Sequence, residues 1–363
     1  MIKHRKLGVS TAFHTRRRLI ILLISAGLLA TVFLFTYTGG GGYRRFQTQG
    51  FGYFDSFIYF IGYAQNEADF IRYADMVFDR IGELHRLFDI FNPYENEGMR
   101  NLYYVNANAG IKPVTVDSVV IDMLTAGVDA YHITNGSVNI AMGSVLRIWH
   151  EYRQKGMTNL DNASVPSIDD LTNAARFARI QDLIICRESN TVFLQTPGMS
   201  LDVGSIAKGY AAELAMQTVV ESGIQSALIN MGGHIVAYGY PPGRNGWNVG
   251  IQNPNIDPEQ PRTIDSLVIT NSALSISGGY ERFFMAGGQR FGHIIDPVTL
   301  MPADMHMQVA VLHPCSWMAD IISTALFILP LEEGMQIALN TGAEAFWINA
   351  YGEWITRMDN KPG

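Results

Sequence analysis

Nineteen consecutive residues without a charge, Leu19 to Tyr37 (LIILLISAGLLATVFLFTY), constrain this 363-residue chain more than any other feature. Wound as a helix at 1.5 Å per residue, they would reach about 28 Å, close to the hydrocarbon thickness of a bilayer. Arg16-Arg17-Arg18 stands directly before the run, and the next basic residue is Arg44. That asymmetry keeps the N-terminus cytoplasmic and carries the rest across. A cleaved signal peptide is the competing reading. Against it, the run exceeds a usual signal core, and Thr36-Tyr37-Thr38-Gly39 is a poor small-x-small cleavage site. No cysteine stands directly after the run, which excludes lipoprotein processing. The expected protein is single-pass in the cell membrane, with an extracytoplasmic body on the periplasmic or outer face. Its parts are a basic cytoplasmic tail over 1–18, an anchor or signal segment over 19–38, a Gly-rich tether over 39–50 and a folded domain over 51–358.

The charge distribution agrees. Of 26 lysines and arginines, six lie in the first 38 residues with no acid among them, which leaves 20 against 33 acids and a net −13 on the remainder. An acidic body argues against a nucleic-acid partner. Cys186 and Cys315 are too few for a disulfide scaffold or a thiolate zinc site, and read as free thiols.

Patterning beyond the tether predicts an α+β fold: one compact mixed body with no repeat and no linker. Phe51–Gly62 reads as a first strand. Ala64–Phe88 places Phe70, Tyr73, Val77, Ile81, Leu84 and Phe88 at helical spacing. Val116–Ile133 reads as a helix capped by Asp117 or Ser118, and Asn159–Ala175 as a surface excursion. Strands at Leu183–Arg187 and Thr191–Gln195, a helix at Ala207–Ser222 and a strand at Ser226–Met231 follow.

Four clusters look chemical. In Leu201-Asp202-Val203-Gly204-Ser205-Ile206-Ala207-Lys208 a short apolar strand ends in Asp-x-Gly-Ser and enters a helix carrying Lys208. Glycine, free N–H groups and a cation suit an anion, although a plain strand–helix turn has the same local pattern. Asn230-Met231-Gly232-Gly233-His234 permits close approach of a ligand or simply turns. Ser277-Gly278-Gly279-Tyr280-Glu281-Arg282 precedes Gly292-His293-Ile294-Ile295-Asp296-Pro297; a histidine in such apolar company reads, by itself, as a core residue. In Ser316–Leu326, with Ser316 as cap, Asp320 and Thr324 are four apart and share a helical face. A carboxylate and a hydroxyl at that spacing suit a hard cation such as Mg²⁺, a pairing that also arises by chance.

The order of these clusters resembles the ApbE family, the FAD:protein FMN transferases. The resemblance runs from about Phe51 to Leu339 and is carried by LDVGSIAKGYAAELA, ALINMGGHIVAYG, SGGYERFF, HIIDPVTLMPA and MADIISTALFIL. FDSF, FDIFNPYENE, VNANAGIKPV and GSVNIAMGSVLRIWH match more loosely. The resemblance implies an ApbE-like (T-fold-like) body that uses Mg²⁺ to cleave FAD, attaches FMN to a Thr or Ser hydroxyl of an extracytoplasmic protein, and releases AMP. Acceptors implied are subunits of redox complexes of the NQR and RNF type. Asp320 and Thr324 would bind Mg²⁺ by side chains and Ser205 by its carbonyl. Asp202, Lys208 and Ile294 would touch FAD, as would Ser137, Val138 and Asn139 after the Asn135-Gly136 turn, with Phe54 and Phe91 against it. Asn106 matches an Asn near the nucleotide. Lys208 and His293 would stabilise charge at phosphorus, and Asp320 or His293 would serve as base.

The chain departs from the family pattern at Ser205, Asn139, His234, Gly279 and Leu300; the last stands for the Gly of D-P-x-T-G. None of these removes Asp320, Thr324 or Lys208. Hydrolysis of FAD to FMN and AMP, and non-catalytic flavin binding, are the rival activities.

Overall fold

The computed structural model describes residues 42–94, 98–158, 163–254, 261–280, 282–349 and 353–358. The expected tail and anchor, and the tether up to residue 41, lie outside these. Among the described residues no helix is long and apolar enough to cross a membrane.

The chain opens with β1 (Arg44–Tyr53) and β2 (Ser56–Ala64), paired antiparallel. This corrects the single strand expected from Phe51 and shortens the tether, whose last residues belong to β1. Phe54 and Asp55 form the connecting turn at φ 52° and 50°, the left-handed geometry of a tight hairpin. Such turns are normally marked by Asn-Gly or Asp-Gly; a phenylalanine hides this one.

Helix α1 (Glu67–Leu87) begins where the Asn66 side chain accepts from Asp69 N at 2.9 Å. Its Phe70, Tyr73, Val77, Ile81 and Leu84 are buried, as the spacing predicts. After α2 (Leu102–Ala107) and β3 (Val114–Thr115), α3 (Ser118–Ile133) starts at Asp117, whose carboxylate accepts from Val119 N. Helix α4 (Gly143–Thr158) is followed by α5 (Ile168–Ala175), capped by Ser167. The expected irregular excursion over 159–175 is therefore helical in its last eight residues. One buried residue, Leu171, anchors α5, which leaves almost no apolar period to read.

Next come β4 (Leu183–Cys186), β5 (Thr191–Leu194), α6 (Ala207–Glu221), β6 (Ser226–Met231), β7 (His234–Gly239), β8 (Trp247–Gln252), β9 (Thr263–Ile269), β10 (Ser272–Gly278), β11 (Phe283–Ala286), β12 (Gln289–Gly292) and β13 (His306–His313). Then α7 (Ser316–Ile328), α8 (Leu331–Thr341), β14 (Glu344–Asn349) and β15 (Trp354–Met358) complete the described fold.

Eight strands form one antiparallel sheet, ordered β1-β2-β6-β7-β10-β13-β14-β15. Period-two alternation assigns each residue to a face. Ala227 and Ile229 of β6 join the helical layer with α1, α6 and α7, whereas Leu228 faces the other way. On that second face the β8–β9 ribbon buries Trp247, Val249, Ile251, Leu267 and Ile269 against Leu228, Leu274 and Phe346. With both faces covered, β6 reads as a continuous apolar run. A third cluster joins Trp149 of α4 to Phe284, Ile295 and Leu300. Both cysteines are free.

Candidate functional site

A cavity of about 620 Å³ opens where the strand ends meet α4, α6 and α7. That is within the range of about 300–1,000 Å³ usual for small-molecule sites. Phe54, Phe91, Ser137, Val138, Asn139, Asp202, Ser205, Lys208, His293, Ile294, Asp320 and Thr324 all line it. Residues more than 260 positions apart in sequence thus share one chamber.

Asp320 is 4% exposed. Its Oδ2 accepts from Gly209 N at 2.8 Å and its Oδ1 from Ser275 Oγ at 3.2 Å. Gly209 is where α6 crosses α7: a Cβ there would lie 2.7 Å from Asp320 Cβ and 2.8 Å from Ser316 O. Only glycine allows that approach. Thr324 Oγ1 donates to Asp320 O at 3.1 Å, which leaves its lone pairs free. One carboxylate, one hydroxyl and the nearby Ser205 make a hard, oxygen-only donor set that fits Mg²⁺.

Ser316 was expected to cap α7. Cys315 holds that position without a side-chain cap bond, and the acceptor is Glu213 of α6, whose Oε2 takes Ser316 N at 2.7 Å. Ser316 Oγ instead donates to Gly209 O at 2.7 Å and lies 2.7 Å from His234 Nε2. With its own proton committed, that hydroxyl accepts from His234, so Nε2 carries the imidazole proton. Nδ1 is left as a buried lone pair without a partner, 3.7 Å from Asp320 Oδ1. Burial drives the His234 pKa down to about 4 against the pull of Asp320. The pair is therefore a neutral imidazole beside a carboxylate, not a salt bridge.

His293 is a cavity residue, which corrects its reading as core. Its Nδ1 lies 3.2 Å from Arg282 O. A carbonyl only accepts, so Nδ1 carries the proton and Nε2 the lone pair. Burial, then the charges of Arg282, Lys208 and Arg153, push its pKa down to about 3. At neutral pH it is uncharged, and burial with the same cations opposes its taking a proton; it brings no positive charge to phosphorus, contrary to what the resemblance implied.

Around this centre the walls are locally braced. The Asp202 carboxylate turns back to accept from Gly204 N at 2.9 Å, and burial raises its pKa. Ser137 Oγ donates to Thr134 O, and Asn139 bridges Ala141 N and Ala178 O. These bonds hold the turn in shape. Asn106 does not line the cavity. It clamps Leu201 by two bonds, Nδ2 to O at 3.0 Å and N to Oδ1 at 2.7 Å, and so fixes the segment before Asp202, which is extended chain with one isolated bridge at Ser200 and not the strand expected. Asp89 accepts from Phe91 N, Asn92 N, Asn92 Nδ2 and Tyr94 Oη. That ties down the loop presenting Phe91, whose ring stacks on His150 at 5.1 Å. Phe54 packs edge-on to His85 at 5.3 Å. Leu300 takes the missing glycine's place at φ 61°. It is held there by its buried side chain and by Trp149 Nε1 donating to its carbonyl at 2.9 Å.

Sequence reasoning missed Trp149, His150 and Arg153 of α4 as cavity residues, although the helical period would have grouped the last two. It also gave no role to Arg282, which donates to Asp55 O at 2.7 Å and Ser56 Oγ at 3.3 Å. These bonds pin the loop before β11 to the β1–β2 turn.

The family model for ApbE matches residues 58–347. The chain belongs to the ApbE family. Two relatives named FAD:protein FMN transferase illustrate the distance. The Klebsiella pneumoniae protein is 32% identical over 255 residues, covering 69% of this chain and 76% of that protein. The Treponema pallidum protein is 33% identical over 259 residues, covering 67% and 69%. Among solved structures, the ApbE protein of Thermotoga maritima superposes with a TM-score of 0.75 at 23% identity, over 86% of this chain and 96% of that one. The Vibrio cholerae flavin transferase ApbE gives 0.72 at 19%, over 87% and 97%. At such identities these superpositions establish that the mixed α/β architecture is the ApbE fold.

Proposed function

We propose that this ApbE-family enzyme, an FAD:protein FMN transferase, moves FMN from FAD to a Thr or Ser hydroxyl of an extracytoplasmic protein and releases AMP. The observation that carries the reading is one cavity holding an oxygen donor set, a lysine and a neutral histidine with a free lone pair. Asp320, Thr324 and Ser205 would hold Mg²⁺, which when bound neutralises diphosphate charge and helps AMP depart. His293 Nε2 would accept the proton of the acceptor hydroxyl as its oxygen bonds the FMN phosphorus, once bound phosphates offset the neighbouring cations that help hold its pKa down. The phosphorus–oxygen bond to AMP breaks, and AMP leaves with that electron pair. Lys208 opposes the charge growing on the phosphoryl oxygens. Asp320 is hydrogen-bonded to Gly209 and Ser275; with its carboxylate given to the cation in this reading, the base role falls to His293. The apolar walls around Phe54, Phe91 and Ile294 suit the flavin ring.

The body would sit on the extracytoplasmic side, anchored through Leu19–Tyr37. A redox-complex subunit of the NQR or RNF type is the acceptor class the family resemblance implies. The test incubates the enzyme with FAD, Mg²⁺ and such a subunit, then weighs the subunit. A gain of one FMN residue with equimolar AMP supports transfer. Equal AMP and free FMN with an unchanged subunit would mean hydrolysis.

A further inference from the structure

The cavity carries a cation that the oxygen donor set and Lys208 leave unused. Arg153, one helical turn after His150 on α4, lines the chamber and is half-buried. Its Nη2 donates to His150 Nδ1 at 3.1 Å. No carboxylate lies within ion-pair distance of it among the described residues. A guanidinium has five N–H donors in a planar fork and stays charged at any working pH. Here most of that fork is unspent and faces a space also lined by Lys208 and Arg282. Burial and the charge of Arg282 both press against its protonated form, opposed only more weakly by Asp55 and Asp202. Gathering cations this way opposes folding unless an anion occupies the space between them.

Resting on the reading of the cavity as an FAD site, we propose that Arg153 is a diphosphate-binding residue, its fork reaching the anionic linker of the dinucleotide from the α4 side. The chemistry recognised is a pair of bridged phosphates, which a planar fork can grip by two parallel hydrogen bonds. His150 orients the guanidinium through Nδ1. The His150–Phe91 stack sets a ring platform beside it, so one helical turn addresses both the charged and the aromatic parts of one ligand. Sequence could show only that His150 and Arg153 are three apart; the fold supplies the partners.

The test measures equilibrium binding of ADP, inorganic pyrophosphate and riboflavin to the full chain and to Arg153→Gln and Arg153→Lys, by calorimetry without turnover. Thermal melts verify folding. Loss of a charged hydrogen-bonding partner should weaken ADP and pyrophosphate by about tenfold to a hundredfold in Arg153→Gln. Arg153→Lys should recover part of that loss, because it keeps the charge but not the fork. Riboflavin, which has no phosphate, should change less than about twofold. Unchanged ADP and pyrophosphate affinity, or an equal loss for riboflavin, would overturn the proposal. These readouts are independent of transfer, so an enzyme that binds ADP through Arg153 yet modifies no acceptor would refute the transferase reading alone.

Discussion

Adding one methyl group at Gly209 should damage stability and cation binding together. The Cβ of alanine would meet Asp320 Cβ at 2.7 Å, Ser316 O at 2.8 Å and Trp317 Cα at 2.9 Å. Carbon contacts settle near 3.5–4.0 Å, so α7 must retreat by about an ångström. None of the three atoms ends a flexible side chain, so no rotamer change can absorb the clash. Overpacking of this kind typically costs about 1–3 kcal/mol. Alanine returns up to about 1 kcal/mol of helix propensity. With the full propensity return, the net expectation is a loss of up to about 2 kcal/mol. The same displacement stretches the 2.8 Å bond from Gly209 N to Asp320 Oδ2 and the 2.7 Å bond from Ser316 Oγ to Gly209 O. Disturbing such supports commonly lowers metal affinity about tenfold to a hundredfold. Urea unfolding would give the stability change and Mg²⁺ calorimetry the affinity. Gly279→Ala is the control, because its Cβ would meet only Phe327 Cζ at 3.6 Å. Wild-type midpoint and Mg²⁺ affinity in Gly209→Ala would refute the idea that this crossing positions Asp320.

Other outcomes follow from the same site. EDTA should stop AMP release and Mg²⁺ restore it; Asp320→Ala should abolish it and also destabilise the fold by about 1–3 kcal/mol, since the Gly209 N–H and Ser275 hydroxyl lose a buried acceptor. Thr324→Ala should retain more activity, because a neutral ligand is lost and not a charge. Lys208→Ala should lower kcat more than it raises KM for FAD, because charge on the phosphoryl oxygens grows in the transition state. The low pKa of His293, about 3, predicts that kcat/KM shows no acid limb from this group near pH 6.5, its ordinary value; a limb at that pH that disappears in His293→Gln would refute the assignment. For stability the sign is the usual one for groups kept neutral by folding. Above pH 6.5 neither state binds the proton, and as pH falls toward about 4 for His234 and about 3 for His293 the unfolded chain alone takes it up. Urea midpoints should therefore decline across that window and be insensitive to these histidines above it. Protease added to intact spheroplasts should digest the body if the anchor topology holds, and leave the chain whole if it does not.

Sequence alone determined the features whose physics is local. A helical period places Asp320 and Thr324 on one face, and an apolar stripe from Phe70 to Leu84 makes α1; neither needs knowledge of anything far away. The order of motifs was enough to indicate the family, and the residues that resemblance assigned to the metal or the flavin line the cavity, Asn106 excepted. Where local signals were silent, reading failed: the Phe54-Asp55 turn lacks turn residues, and α5 buries too little to show a period. Tertiary structure decided what the side chains do. Asn106 became a backbone clamp because tertiary packing brings Leu201 to its helix, 95 residues on. His293 lines the cavity, and its neutrality depends on burial and on Arg282, Lys208 and Arg153, gathered from separate elements. The α6–α7 crossing that seats Asp320 over Gly209 spans 111 residues of chain. Spacing along a sequence encodes only neighbours within a few turns, whereas desolvation, tautomer and close backbone approach arise from atoms that tertiary packing alone makes adjacent.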